Sequence, residues 1–116
     1  MSQDARRDEE KTTQRRAGVL GLQYTDTSAN QKQLYKDILS IPELRSMRAI
    51  PLQADSHNIH FGITNTTSQQ TIQNLVSRFL DQRATFSMIS DTGFNEYMKL
   101  YDPPKQVVYE DIAVNG

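Results

Sequence analysis

Apolar residues recur along this chain at two different periods, and the changes of period mark out its elements. Ile59, Phe61 and Ile63 alternate with polar or small neighbours, the two-residue period of a strand with one buried face. Ile50-Pro51-Leu52-Gln53-Ala54 lies just ahead of them, across the turn-forming run Asp55-Ser56-His57-Asn58. The pair predicts a hairpin with Ile59, Phe61 and Ile63 toward the core. Pro51 has no N–H to give to a ladder, so its strand is predicted to lie at a sheet edge or to begin there. The period then changes. Ile72, Leu75, Val76 and Phe79 stand at i, i+3, i+4 and i+7, which predicts an amphipathic helix over about 68–81, with Thr67 and Gln70 as its capping box. Ala84, Phe86 and Met88 alternate again as a strand. Phe94, Tyr97, Met98 and Tyr101 form a last helical stripe, capped by Asp91 and stopped at Pro103-Pro104.

The first half is read in the same way. Residues 8–20 fit a helix, with Gly21 where a C-terminal glycine cap belongs. Leu22-Gln23-Tyr24-Thr25 predicts a short strand. Ser28 and Gln31 form a capping box, and Leu34, Ile38 and Ile41 recur at four and three, predicting a helix that Pro42 ends. Pro42 to Met47 then adds a further helical turn. The order β-α-β-β-α-β-α, after a helical or disordered lead, predicts a small two-layer α/β sandwich with a mixed sheet.

Composition divides the chain. Only 36% of the 116 residues are apolar, but the first 16 hold nine charged residues and just two apolar ones, Met1 and Ala5. Residues 1–16 are therefore read as a charged lead, disordered or a frayed helix, 17–104 as one folded domain, and 105–116 as the start of a linker. The net charge of −1 leaves no field to grip nucleic acid. No run reaches the length of a membrane span.

Candidate chemistry is sparse. Without cysteine there is no disulfide framework, thiolate metal site or cysteine nucleophile. His57 and His60 fall on opposite faces of an extended strand, with no third ligand at a usual spacing; they read as a polar turn and a solvent-facing strand residue. Gly18-Val19-Leu20-Gly21 lacks the lysine and hydroxyl of a phosphate loop, and no G-x-S-x-G elbow occurs. The acid pairs Glu9-Glu10 and Glu110-Asp111 read as solvated charge. Arg45, Arg48, Arg78 and Arg83 are either a solvated helix surface or a docking or phosphate patch. No catalytic residue, metal ligand or cofactor-binding residue is assigned.

From residue 16 to about 104, the chain resembles the N-terminal domain of the type II secretion and type IV pilus assembly ATPases. The resemblance rests on Ala17-Gly18-Val19-Leu20-Gly21-Leu22-Gln23-Tyr24-Thr25-Asp26, on Ile41-Pro42, on Arg48-Ala49-Ile50-Pro51-Leu52 and on Asn58 to Asn65. It continues through Phe86 to Ser90 and on to Leu100-Tyr101. Gln23 and Thr66 stand where that family usually has proline. The resemblance implies a non-catalytic, cytoplasmic adaptor that docks a hexameric motor to an inner-membrane platform protein, with the Walker motifs in a later domain of a longer chain. The docking face would be an apolar patch rimmed by arginine. Leu44, Met47, Arg48 and Arg78 are its expected members, because Leu44 and Met47 follow the proline break outside the clear helical stripes. The alternative is a regulatory module for a nucleotide such as cyclic di-GMP, although the R-L-G-x-x-L motifs that bind it in some family members are absent here.

Overall fold

A computed structural model describes residues 3–28 and 32–104. Four helices and four strands follow one another as α1 (Gln3–Leu20), β1 (Gln23–Tyr24), α2 (Ile41–Met47), β2 (Ala49–Ala54), β3 (Asn58–Ile63), α3 (Gln69–Arg78), β4 (Arg83–Met88) and α4 (Asp91–Tyr101). The strands form one sheet in the order β1-β4-β3-β2. β2 and β3 are antiparallel, while β4 runs parallel to both β3 and β1. The sheet is mixed, as the interleaved pattern predicts. β3, α3 and β4 make a parallel crossover of the kind that needs a helix between its strands.

The alternation in β3 reads directly into the core. Ile59, Phe61 and Ile63 are all buried, and they pair with Ala84, Phe86 and Met88 of β4. Phe61 stacks on Phe86 at 5.6 Å and meets Phe79 at 5.9 Å, so the α3 end of the chain covers this face. The opposite face is also occupied. Gly62 lies against Ile89 and Leu52, and Tyr97 of α4 lines a cavity with His60 and Leu52. The four helices and the mixed four-stranded sheet make the small α/β domain that the pattern predicts. β2 is an edge strand, as Pro51 requires, and its register shifts between Pro51 and Gln53.

The helix predicted from Ser28 to Ile41 is not formed. Gln31 lies outside the described residues, and 32–40 run as turns and extended chain. Leu39 is buried, and Leu34 and Ile38 pack on the core without helical geometry. The capping box belongs instead to Ser40 and Glu43, one helix later. Pro42 begins α2 rather than ending a helix, because the first turn has no partner for the missing N–H in any case. Two other caps move by one residue. Ser68 caps α3 and Ser90 caps α4, while Thr67 donates to the carbonyl of Arg48 at 2.7 Å. In α3 only Leu75 is fully buried, and Val76 is half exposed.

α1 shows why a hydropathy stripe was not found in the lead. Its inward row is Arg6, Glu10, Thr13 and Ala17, spaced at four, three and four as a helix face requires. The row is polar, and it docks by hydrogen bonds. Ser90 Oγ donates to Glu10 at 2.5 Å, and the Tyr24 hydroxyl donates to the same carboxylate. Thr92 donates its N–H (3.1 Å) and its hydroxyl (2.5 Å) to Glu9. Arg6 bridges Glu10 at 2.7 Å and Glu96 at 2.9 Å. Glu9-Glu10 is therefore not solvated charge. It places two carboxylates at the N-terminus of α4, where the helix dipole and free N–H groups favour anions. The hydrogen bond to Glu96 holds the Arg6 pKa above its ordinary value, against its burial. Burial, then the bond to Glu10, pushes the Tyr24 hydroxyl up. The linker read at 105–116, with Glu110-Asp111 in it, lies outside the described residues.

Candidate docking site

The four residues expected to meet a partner do not share one environment. α2 begins at a full capping box, with Ser40 accepting from the Glu43 N–H and Glu43 accepting from the Ser40 N–H. This short helix turns Leu44 inward, where it is completely buried in the core. No partner can touch its side chain in this state. Met47 is partly buried against the core from the outer side. Arg48 ends α2 in the left-handed conformation, φ 55° and ψ 47°, the one non-glycine residue with positive φ among those described. That conformation closes the helix through the bond from the Arg48 N–H to the Leu44 carbonyl at 3.0 Å. It also sends the guanidinium over the Phe94 ring, 4.2 Å from its centroid, and onto Asp91 at 2.7 Å. Arg78 reaches across from α3 to Glu43 at 2.5 Å.

Met47, Arg48 and Arg78 therefore gather around α2, but both arginines already hold a carboxylate, as does Arg45 with Asp102 at 2.7 Å. The corner is close to charge-neutral. Glu43 records this electrically. The hydrogen bond from Arg78, followed by that from the Ser40 N–H, holds its carboxyl near pH 2 instead of the ordinary 4.5. A depressed carboxylate contributes stability above its unfolded pKa and loses it as pH falls through the folded one. Carbon-detected NMR should accordingly place the Glu43 titration near pH 2. Arg78→Ala should move it back toward 4.5; an unmoved midpoint would show that the pair is not formed in solution.

A second feature adjoins this corner. A surface pocket of about 190 Å³ opens at the carboxyl ends of β3 and β4, between α1 and the start of α4. Met88 and Ile89 form its buried floor, and Thr12, Arg16, Asn65 and Asp91 lie around it. Asp91 is the partner of Arg48, so the pocket and the α2 corner are contiguous. The carboxyl ends of parallel strands are where open α/β sheets place their sites. Inspection of motifs missed this place because it is assembled from single residues of α1, α4 and the β3 exit. The available signal was the polar helical row Arg6, Glu10, Thr13, Ala17, which a search for apolar stripes passes over.

The histidines build no metal site. His57 sits in the hairpin turn, and its N–H donates to Asp55 at 2.7 Å. His60 is half-buried at the surface: its ring is held between Thr85 Oγ1 at 2.7 Å and Ser87 Oγ at 2.9 Å, and burial lowers its pKa. Among the described residues no three of His, Cys, Asp or Glu are grouped to hold a metal ion. Among the described residues no helix is long and apolar enough to cross a membrane.

No protein-family model matches the chain, and no curated protein matches it in sequence. Solved structures do. MshE, solved with cdg, is similar at a TM-score of 0.67 and 15% identity, over 80% of this chain and 68% of that one. The N-terminal domain of XpsE is similar at 0.59 and 16% identity, over 80% of this chain and 64% of that one; a second crystal form of it gives 0.57. At such identity the likeness is one of fold. The chain has the fold of MshE and of the XpsE N-terminal domain over 80% of its length.

Proposed function

We propose that this chain is the non-catalytic N-terminal adaptor of a type II secretion or type IV pilus assembly ATPase, and that it docks the motor to an inner-membrane platform protein from the cytoplasmic side. The observation that carries the reading is the fold shared with MshE and with the XpsE N-terminal domain. The physical logic is that of a rigid α/β body, with α1 pinned to the start of α4 through Glu9 and Glu10, and joined by residues 105–116 to an ATPase domain that follows. A rigid surface stays bound while a linker lets the motor cycle. In this reading Met47, Arg48 and Arg78 present a face to the partner, with Leu44 supporting it from the core. Titrating the 116-residue chain with the purified cytoplasmic domain of the platform protein should give saturable binding. Absence of binding would remove the reading.

A second reading has one observation in its favour, the presence of cdg with MshE. A cyclic dinucleotide needs cations and free N–H groups for its phosphates. The α4 N-terminus, a natural anion site, is taken by Glu9 and Glu10 of this same chain, and the arginines of the α2 corner are ion-paired. Calorimetry with cyclic di-GMP should therefore show no heat; saturable heat would favour the regulatory module.

A further inference from the structure

We propose that the partner is gripped at the pocket between α1 and α4, by a segment that seats a small apolar side chain on Met88 and Ile89 and offers a carboxylate to Arg16. The inference rests on the adaptor reading and extends its docking face from the α2 corner onto this pocket. Three observations carry it. The first is charge. Of the carboxylates beside the pocket, Asp91 is ion-paired with Arg48, while Glu9 accepts two hydrogen bonds from Thr92 and keeps its charge at the far end of the recess from Arg16. Arg16 is exposed at the rim and has no ion pair among the described residues. From Lys11 to Thr25 the chain has three cations and no acid. The C-terminal half of α1 therefore carries an excess of positive charge, and it complements an acidic partner.

The second observation is apolar exposure. Val19 and Leu20 are 81% and 57% exposed at the end of α1. Leu20 stands one helical turn beyond Arg16, on the same side of the helix. An apolar pair beside a free cation, next to a recess with an apolar floor, has the form of an interface core with a polar rim. The third is continuity: Arg48 holds Asp91, so a partner resting on the α2 corner already borders the pocket.

The test uses the 116-residue chain and the purified cytoplasmic domain of the platform protein. Arg16→Glu and Leu20→Asp should each weaken binding about tenfold or more. Arg83→Glu, at the opposite end of β4, should leave it unchanged. Added salt should weaken wild-type binding and have little effect on Arg16→Glu. All three changes are at exposed positions, and unchanged melting curves will show that the fold is kept. Wild-type binding that persists in both α1 variants overturns this inference and spares the adaptor reading. No wild-type binding removes both. Binding to phosphatidylglycerol vesicles, with none to the platform domain, would also overturn it by showing that the basic end of α1 reads lipid.

Discussion

Leu44→Ala is expected to destabilise the domain by about 2–5 kcal/mol, the range for truncating a buried leucine. Its side chain is completely buried, in a core with Ile50, Phe94 and Met98. Two terms add: the lost burial of the removed methyl groups, and the cavity left where neighbours relax only in part. α2 is also too short to persist without its packing, so its loss would release Met47 and Arg48 together. Urea unfolding measures the effect. A change below about 0.5 kcal/mol, the scale of surface substitutions, would show Leu44 to be a surface residue, free to meet a partner as the sequence suggested. The distinction matters for binding experiments. A Leu44 variant that fails to bind reports on the fold of the α2 corner, whereas an Arg16 or Arg78 variant reports on the surface.

Gly93→Ala is expected to destabilise by about 1–3 kcal/mol, the usual range for overpacking. In an open helix the same change would stabilise by roughly 0.5–1 kcal/mol, because glycine is a poor helix former. The sign is set by Thr27. A β-carbon at position 93 would overlap the Thr27 hydroxyl and come within 3.1 Å of its Cβ. That hydroxyl is buried and has no hydrogen-bond partner among the described residues, so the Thr27 side chain meets α4 by packing alone. Thr27→Ala removes the blocking atom and an unsatisfied polar group together. In the double variant more than half of the lost stability should return, which is the signature of coupled neighbours in a mutant cycle. Thermal unfolding of the four proteins decides it; additive losses would mean that the strain lies elsewhere.

Much of the fold was legible because hydrophobic burial leaves a period in the sequence. β3 announced its core face through Ile59, Phe61 and Ile63, and α4 through Phe94, Tyr97, Met98 and Tyr101, all of them buried. Pro51 announced an edge by what it lacks. Residues 28–41 misled because helical spacing is a weak signal when few apolar positions carry it. Leu34, Ile38 and Leu39 serve the core from an irregular segment, and Tyr35 is tied by its N–H to the Tyr101 hydroxyl at 2.8 Å. A capping box needs only two residue types at one spacing, so Ser28/Gln31 and Ser40/Glu43 look alike in sequence. Only the second pair stands where the chain turns into a helix.

The sequence by itself determined the class of fold, the hairpin of β2 and β3, the edge at Pro51, the resemblance to secretion and pilus ATPase domains, and the absence of cysteine chemistry. Each follows from local composition or period, which neighbours along the chain are enough to define. Tertiary structure alone decided what the charges do. Glu9 and Glu10 look like solvated acids until α4 supplies Ser90 and Thr92; Arg48 and Arg78 look free until Asp91 and Glu43 meet them. A charge acts at contact distance on residues that can lie 80 positions away, as Glu10 and Ser90 do, and no periodicity records such a meeting. That is why Arg16, at the pocket rim without an ion pair among the described residues, is told apart from Arg48 and Arg78 only in the folded chain.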